Sequence, residues 1–154
     1  ALVPALAEAF RPDVIVLQCG CDGHVLDPLA HLRATTSLYE RLVEIVVAVA
    51  EEHCEGRVVA TGGGGYAIYT VVPRAWTLVW GALCGVPAPD EVPARWLEAV
   101  RRESGQDVSP VLRDPPGAFP PSARREEVEA NNARMVQEVR RRVLPLVTGW
   151  GLAF

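Results

Sequence analysis

The side chains of this sequence that could do chemistry lie in two short segments. The first, residues 18–29, holds Asp22 among glycines, and the second, residues 62–66, is a run of four glycines followed by Tyr66. A carboxylate with flexible neighbours can ligate a divalent metal, and a phenol can donate a hydrogen bond to an oxyanion. Spacing alone leaves ordinary roles open, because Asp also caps turns and a lone Tyr is commonly part-buried.

Other kinds of site are less well supported by these segments. Cys19, Cys21 and His24 are soft-metal ligands, but no second Cys pair or compact Cys/His array follows them. The glycine run matches neither the dinucleotide fingerprint nor the phosphate-binding P-loop. We therefore expect the thiols to be small core residues. The glycine run is either a flexible turn or a place of close backbone contact, and its entropic cost favours the contact.

Each segment follows a predicted strand. Residues 14–18 and 57–61 are short β-branched runs, a pattern typical of buried parallel strands. Helices are predicted over residues 38–53 and 70–84. This strand–helix–strand–helix order predicts an α/β fold with a parallel sheet. Ligands bind such sheets at the carboxyl ends of the strands, so we expect the two segments to converge there.

The helix over residues 38–53 carries the clearest local signals. Ser37 followed by Glu40 fits a capping box. One apolar face is predicted, made of Leu38, Leu42, Ile45, Val46 and Val49. A further helix is predicted over residues 2–10. Because two strands would leave both sheet edges open, we expect residues outside this sequence to complete the sheet.

The second half of the chain is richer in proline and has fewer regular elements. Eight prolines interrupt residues 87–121, where only residues 93–102 show a helical pattern. A last helix is predicted over residues 123–144, capped by Ser122. We interpret residues 1–86 as part of an α/β domain. Residues 87–154 are then a Pro-rich arm and a C-terminal helix that pack on the same domain, with the few aromatic side chains of the arm docked on its core.

The bulk composition excludes several classes of partner. The chain has 154 residues, 49% of them hydrophobic, and a formal net charge of −4. This charge indicates neither nucleic acid nor an anionic membrane as a partner, and no apolar run reaches the length of a membrane span. Four cysteines in a chain of this size favour reduced thiols and a cytoplasmic location. The first residues lack the pattern of a signal peptide.

In order and spacing, these motifs resemble those of the histone-deacetylase-like zinc hydrolases. Residues 12–20, Asp22 and residues 27–29 are similar to the late metal-ligand segment of that family, and residues 62–66 to its glycine-rich loop with a catalytic tyrosine. Residues 71–76 resemble one subgroup, the bacterial acetoin-utilisation deacetylases. The resemblance covers about residues 1–100. It implies the C-terminal part of an arginase/deacetylase-like three-layer fold, with helices on both faces of a parallel sheet.

The resemblance also implies a reaction, the zinc-dependent removal of acetyl groups from lysine side chains of proteins. It makes Asp22 one of three zinc ligands, with the other two expected in an upstream segment. It makes Tyr66 the donor to the developing oxyanion. Leu29 would line the acyl-lysine tunnel, and Gly64 and Gly65 would shape its wall and bind substrate. No histidine of this sequence stands in a catalytic motif of the family.

Several further expectations follow from the resemblance. With one zinc ligand of three, the isolated chain is expected to be inactive. The expected partner is an acetylated protein, with an acyl-CoA synthetase as the candidate, and self-association through the open sheet is an additional expectation. Ureohydrolases share the architecture but use paired aspartates, whereas position 24 here is His. An acetylpolyamine deacetylase and a non-catalytic interaction module or remnant remain the alternatives.

Overall fold

A computed structural model of the chain describes residues 2–150, which form helices around a small parallel sheet. The elements are, in chain order, α1 (Val3–Phe10), β1 (Ile15–Gln18), α2 (Thr36–Cys54), β2 (Val58–Thr61), α3 (Val72–Cys84), α4 (Ala94–Ser104), α5 (Arg125–Arg142) and α6 (Leu144–Trp150). Every predicted strand and helix therefore has a counterpart. Residues 151–154 of the predicted second region lie outside the described residues.

The two strands pair in parallel, as the sequence predicts. Ile15 lies opposite Val58, and the register continues to the last residue of each strand. The predicted burial is wrong for the described residues: no strand residue among them is buried, and Val16 and Val59 are 68% and 51% exposed. Side chains alternate between the faces of a strand. Leu17 packs against the core on one face, and Val16 lies uncovered on the other.

Helix α2 does not begin with the predicted capping box. It starts at Thr36, and neither a Ser37 nor a Thr35 side chain caps it. The Glu40 carboxylate is bound instead by Arg113, with Nε at 2.8 Å and Nη2 at 2.5 Å. The first free N–H of the helix, at Thr36, donates to Asp114 Oδ2 at 2.9 Å. A carboxylate 78 residues away therefore caps the helix.

The buried face of α2 is rotated from the predicted one. Of the predicted apolar face, Val46 and Val49 are buried, whereas Leu38 and Leu42 are exposed. The buried residues of the helix are Thr36, Tyr39, Val43, Val46, Val49, Ala50 and Cys54. This face packs mainly on α3. Two of these residues, Tyr39 and Val43, join Cys19, Cys21 and three residues at or near α3 in the main core cluster.

The Pro-rich arm contributes a smaller core cluster and one ring contact. Val92 and Leu112 bury against Leu78 of α3. The ring of Phe119 meets that of His24 edge-on, with centroids 5.7 Å apart. Helix α4 agrees with the prediction.

The last predicted helix is two helices, and Ser122 is not its N-cap. Helix α5 follows Arg124, whose N–H donates to Ser122 Oγ at 3.2 Å, and α6 begins at Leu144. No residue of α5 is buried, and α6 contacts α1.

The cysteines are unpaired, and most of them are buried. All four cysteines are free, and Cys19, Cys21 and Cys54 are buried while Cys84 is exposed. The expected role of Cys19 and Cys21 as small core residues is confirmed. Among the helices of residues 2–150, none has both the length and the apolar character needed to cross a membrane.

Candidate active site at the strand ends

The two chemistry-bearing segments run side by side beyond the ends of β1 and β2. The Cys19 N–H donates to the Thr61 carbonyl at 2.9 Å, which extends the strand pairing by one step. The Cys21 N–H donates to the Gly64 carbonyl at 2.6 Å. These hydrogen bonds join the loop that carries Asp22 to the glycine-rich loop, so both loops emerge at one edge of the sheet.

The glycine run is required by close packing between the loops. A Cβ at Gly63 would overlap the Gln18 side chain, and a Cβ at Gly64 would overlap the Asp22 carboxylate. A Cβ at Gly65 would lie 2.8 Å from Cys21 Sγ. The expected close contact of the glycine run is therefore confirmed, and a flexible turn does not describe it.

Asp22 and Tyr66 lie on these interlocked loops. The Asp22 side chain is half-buried and rests against Gly64, two residues before Tyr66. The Tyr66 side chain is 51% exposed, and its hydroxyl has no hydrogen-bond partner within residues 2–150. Leu29 is also exposed, and its backbone N–H shares a carboxylate with the Tyr66 N–H. The structure thus brings the sequence-predicted residues to the same edge of the sheet.

Asp27 supplies that shared carboxylate, in what we name the loop junction: Asp27 with the backbone amides of Leu29, Ala30 and Tyr66. Oδ1 accepts from Leu29 N at 2.9 Å and from Ala30 N at 3.3 Å, and Oδ2 accepts from Tyr66 N at 2.8 Å. Burial alone would raise the pKa of Asp27, but the amide donors outweigh it and lower that pKa. The sequence showed Asp27 as part of a motif without indicating this role.

Tyr39 supports the loop beside Asp22. Its buried hydroxyl donates to the Cys21 carbonyl at 3.0 Å. Burial of this phenol raises its pKa well above the usual range. The neighbouring thiol, Cys21, also has a raised pKa because of burial. The carbonyl that precedes Asp22 is therefore fixed from α2 by a neutral donor.

A second buried carboxylate forms what we name the arm junction: Asp114 with the side chains of His24, Thr36 and Arg74. Oδ2 accepts from His24 Nε2 at 2.8 Å, and Oδ1 accepts from Arg74 Nη2 at 2.6 Å. Asp114 N in turn donates to Thr36 Oγ1 at 2.8 Å. Leu26 N donates to His24 Nδ1 at 3.1 Å, which leaves Nε2 as the donor to Asp114.

The arm junction joins the Pro-rich arm to the loop of Asp22 and to the starts of α2 and α3. Burial would raise the pKa of Asp114, but His24, the Thr36 amide and Arg74 hold it well below its usual range. His24 and Arg74 are themselves buried. No local sequence signal identifies this junction, because the partners of Asp114 lie 40, 78 and 90 residues away along the chain.

The described residues do not make a complete zinc site. A catalytic zinc ion uses three protein ligands and leaves one position open. Within residues 2–150, no group of three or more His, Cys, Asp or Glu side chains could hold a metal ion. Asp22 has the donor type and the strand-end position of one ligand, so the described chain offers part of a donor set.

A groove of about 930 Å³ lies between residues 25–37, which follow Asp22, and the Pro-rich arm. Val25 and Leu32 line one part of it, and Phe119 and Val128 line another. Neither Asp22 nor Tyr66 is among its lining residues. The groove is therefore separate from the candidate active site.

The first half of the chain matches a known protein family. The histone deacetylase domain family matches residues 1–83. The acetoin utilization protein AcuC of Bacillus subtilis (strain 168) is 37% identical over 133 residues, which are 86% of this chain and 34% of that protein. AcuC of Staphylococcus xylosus is 34% identical over 138 residues, 89% of this chain and 36% of that protein. The chain thus spans about a third of the length of these relatives.

Solved structures share the fold. A histone deacetylase homolog complexed with SAHA aligns with a TM-score of 0.61 and 25% identity, covering 96% of this chain and 38% of that one. A histone deacetylase homolog from Aquifex aeolicus aligns with a TM-score of 0.56 and 24% identity, covering 84% of this chain and 37% of that one. The predicted fold class, the C-terminal part of an arginase/deacetylase-like α/β fold with a parallel sheet, is confirmed.

Proposed function

Because this chain belongs to the histone deacetylase domain family, we propose that it forms the C-terminal part of a zinc-dependent deacetylase acting on acetyl-lysine side chains of proteins. The observation that carries this proposal is the interlocking of the two strand-end loops. The Asp22 carboxylate packs against Gly64, and Tyr66 follows two residues later. A metal-ligating group and an oxyanion donor on joined loops suit the hydrolysis of an amide.

In this proposal each residue of the chain has a defined task. Tyr66 donates its hydroxyl proton in a hydrogen bond to the oxygen that becomes negative when the acetyl carbonyl is attacked. The donor acts as charge builds, so it lowers the barrier more than it strengthens substrate binding. Leu29, exposed beside Tyr66, lines the channel for the acyl-lysine chain. Gly64 and Gly65 keep the channel wall free of side chains.

Asp22 is the proposed zinc ligand of this chain. Bound zinc supplies a Lewis acid that polarises an acyl carbonyl and lowers the pKa of water. Because the described residues offer one suitable carboxylate, the remaining ligands must come from polypeptide outside the described residues. We propose that the isolated chain neither binds zinc tightly nor turns over substrate.

The central test is the Tyr66→Phe variant of the complete translation product that contains this chain. With an acetyl-lysine peptide as substrate, kcat is expected to fall by a factor of about 100 to 1,000, the usual loss for one oxyanion donor, with little change in KM. Tyr69→Phe, three residues further on, is the matched control and should retain activity. Equal activity of Tyr66→Phe and wild type would overturn the role of Tyr66.

A second test addresses the metal. Asp22→Asn should weaken zinc binding by the complete protein, measured by competition with a chelating dye. Asp13→Asn, at the opposite end of β1, is the control and should bind zinc as wild type does. The same titration on the isolated chain should detect no tight zinc site, and a tight stoichiometric site there would contradict the incomplete donor set.

The substrate class needs its own measurement. We propose acetylated proteins as the substrates, with an acyl-CoA synthetase as the candidate. We also propose a cytoplasmic location, because buried free thiols fit a reducing compartment. Rates on acetyl-lysine peptides and on acetylpolyamines would be compared as kcat/KM. A preference for acetylpolyamines would replace the protein substrate with the polyamine alternative and leave the chemistry unchanged.

The non-catalytic alternative has one observation in its favour. Val16 and Val59 expose an apolar sheet face that can pack against a second chain. Under this alternative the chain self-associates without activity in any context. Light scattering of the isolated chain, with Val16→Ser and Val59→Ser as disrupting variants, measures the association. Deacetylase activity of the complete protein would exclude the non-catalytic alternative whatever the oligomeric state.

A further inference from the structure

Asp27 is a buried carboxylate without a basic partner. Only 5% of the residue is exposed, and no Arg or His side chain within residues 2–150 pairs with it. Its hydrogen-bond donors are backbone amides alone, two from its own turn, one from Tyr66 and one from the next residue, Ala67. Burying an unpaired carboxylate is unfavourable, so a residue of this kind needs several well-directed donors to persist.

The two oxygens of Asp27 serve different parts of the chain. Oδ1 accepts from Leu29 and Ala30, which is an ordinary Asx-type turn. Oδ2 reaches Tyr66, 39 residues later, and this bond has no role in the local turn. A turn alone would need one oxygen, as Ser or Asn could supply. The second oxygen makes Asp27 a tether between the loop of Asp22 and the backbone of Tyr66.

The side chain of Tyr66 has few contacts of its own. Half of its side chain is exposed, and its hydroxyl is unpaired within the described part of the chain. The glycines before it pack on the first loop through their backbone alone. The hydrogen bond from the Tyr66 N–H to Asp27 Oδ2 is the contact that links the Tyr66 backbone itself to the first loop. A displacement of about 1 Å at a catalytic group can reduce the rate about a hundredfold.

We propose that Asp27 is a positioning residue for Tyr66, which it holds at the correct distance from the Asp22 loop through the Tyr66 backbone N–H. This role rests on the deacetylase function proposed above. Asp27 does not touch the reacting atoms, and it acts through the placement of the phenol. Loss of its bond to Tyr66, with the Leu29 turn retained, should therefore lower kcat and leave substrate binding nearly unchanged.

The kinetic test is a double-mutant cycle in the complete translation product, with an acetyl-lysine peptide as substrate. Asp27→Asn retains the size of the side chain but turns an NH₂ group toward one of the amide donors. It should lower kcat by about ten- to a hundredfold with KM within about threefold. In the Tyr66→Phe background the same change should lower kcat by less than about threefold, because the hydroxyl it positions is gone.

Two variants separate positioning from a structural role. Asp27→Ser keeps an oxygen for the Leu29 amide and cannot reach Tyr66, so it should lose kcat as Asp27→Asn does. Wild-type kcat in Asp27→Ser would show that the turn alone matters and would overturn the proposal. Equal fold losses from Asp27→Asn with and without the Tyr66 hydroxyl would overturn it as well. Asp13→Asn, exposed and outside both loops, is the control.

A spectroscopic readout on the chain itself does not need activity. In ¹H–¹⁵N spectra the Tyr66 amide should be shifted downfield and protected from exchange, and both features should disappear in Asp27→Asn while the remaining spectrum stays dispersed. An unchanged Tyr66 amide would overturn the tether even with an active enzyme. Full activity of Tyr66→Phe together with loss of the amide signature in Asp27→Asn would instead overturn the proposed function of Tyr66, and its positioning with it.

Discussion

Two buried carboxylates connect separate parts of this molecule, and their partners differ in kind. The loop junction holds Asp27 with backbone amides alone. The arm junction holds Asp114 with an arginine, a histidine and a threonine from three separate segments. Both junctions lower the pKa of their carboxyl group. Backbone amide dipoles do so for Asp27, and for Asp114 the positive charge of Arg74 adds to its hydrogen bonds.

The difference assigns separate tasks to the two junctions. Removing the carboxylate at the arm junction would leave the buried guanidinium of Arg74 unpaired, which is a large penalty to stability. Removing it at the loop junction would leave neutral amides unpaired, which is a smaller penalty but releases the backbone of Tyr66. We expect the arm junction to control the stability of the fold and the loop junction to control the geometry of the site.

The largest effect is expected for Asp114→Ala. Arg74 and Asp114 are almost fully buried, and breaking such a pair from one side typically costs about 3–5 kcal/mol. Urea denaturation followed by circular dichroism measures the loss. Asp107→Ala breaks the exposed pair with Arg101 and should change stability little. A loss for Asp114→Ala no larger than the control would remove the distinction between the junctions.

A smaller loss is expected for Thr36→Val, which has nearly the same shape. It removes Oγ1, the acceptor of the Asp114 N–H, and leaves a buried donor unpaired at a cost of about 1–3 kcal/mol. Thr77→Val is the control, because its hydroxyl is exposed and bonds within its own helix. The measurement is again urea denaturation. Equal effects of the two substitutions would show that the neutral bond at the arm junction contributes nothing measurable.

Tyr39→Phe tests the neutral support of the Asp22 loop. It removes the donor to the Cys21 carbonyl and should lower stability by about 1 kcal/mol. Tyr69→Phe serves as the control. Thermal unfolding of both variants, compared with wild type, measures the effect. A loss comparable to that of Asp114→Ala would mean that the loop region is as important for stability as the arm junction, and it would contradict the division of tasks between the two junctions.

The smallest effect is expected in the acid range. Each carboxyl has a folded pKa below its unfolded value of about 3.9, so its contribution to stability is complete above that value and disappears as the pH falls through the folded pKa. The stability difference between wild type and Asp27→Asn should therefore shrink on acidification below about pH 4.

For Asp114→Asn that difference should persist to lower pH, because the pKa of Asp114 is lowered further. Urea denaturation at successive pH values measures both differences. Differences that shrink together for the two variants would contradict the distinction between a carboxyl held by amides and one paired with a guanidinium.

Local patterns were sufficient for the elements and for the place of the site. The two β-branched runs predict β1 and β2, and the order of elements predicts their parallel pairing. The position of Asp22 and the glycine run after these strands predicts that the two loops meet. Each of these predictions depends on residues that are neighbours in the chain, or on the rule that parallel strands end at the same edge.

Local patterns were not sufficient for the start and the buried face of α2. Ser37 and Glu40 form a valid capping pattern. In the structure, however, Arg113 binds the Glu40 carboxylate, and Asp114 accepts a hydrogen bond from the first free N–H of the helix. Leu38 and Leu42 are as apolar as the residues that are buried, and only the position of α3 decides which stripe of the helix faces the core.

The sequence by itself determined the α/β class, the two strand-end loops and the residues that make a deacetylase site a specific proposal. Only the tertiary structure decided which carboxylates join distant segments. The motif that contains Asp27 does not indicate its bond to Tyr66, and no local signal marks Asp114. The partners that join segments lie 39 to 90 residues away, and such contacts exist only once the chain has folded and buried them.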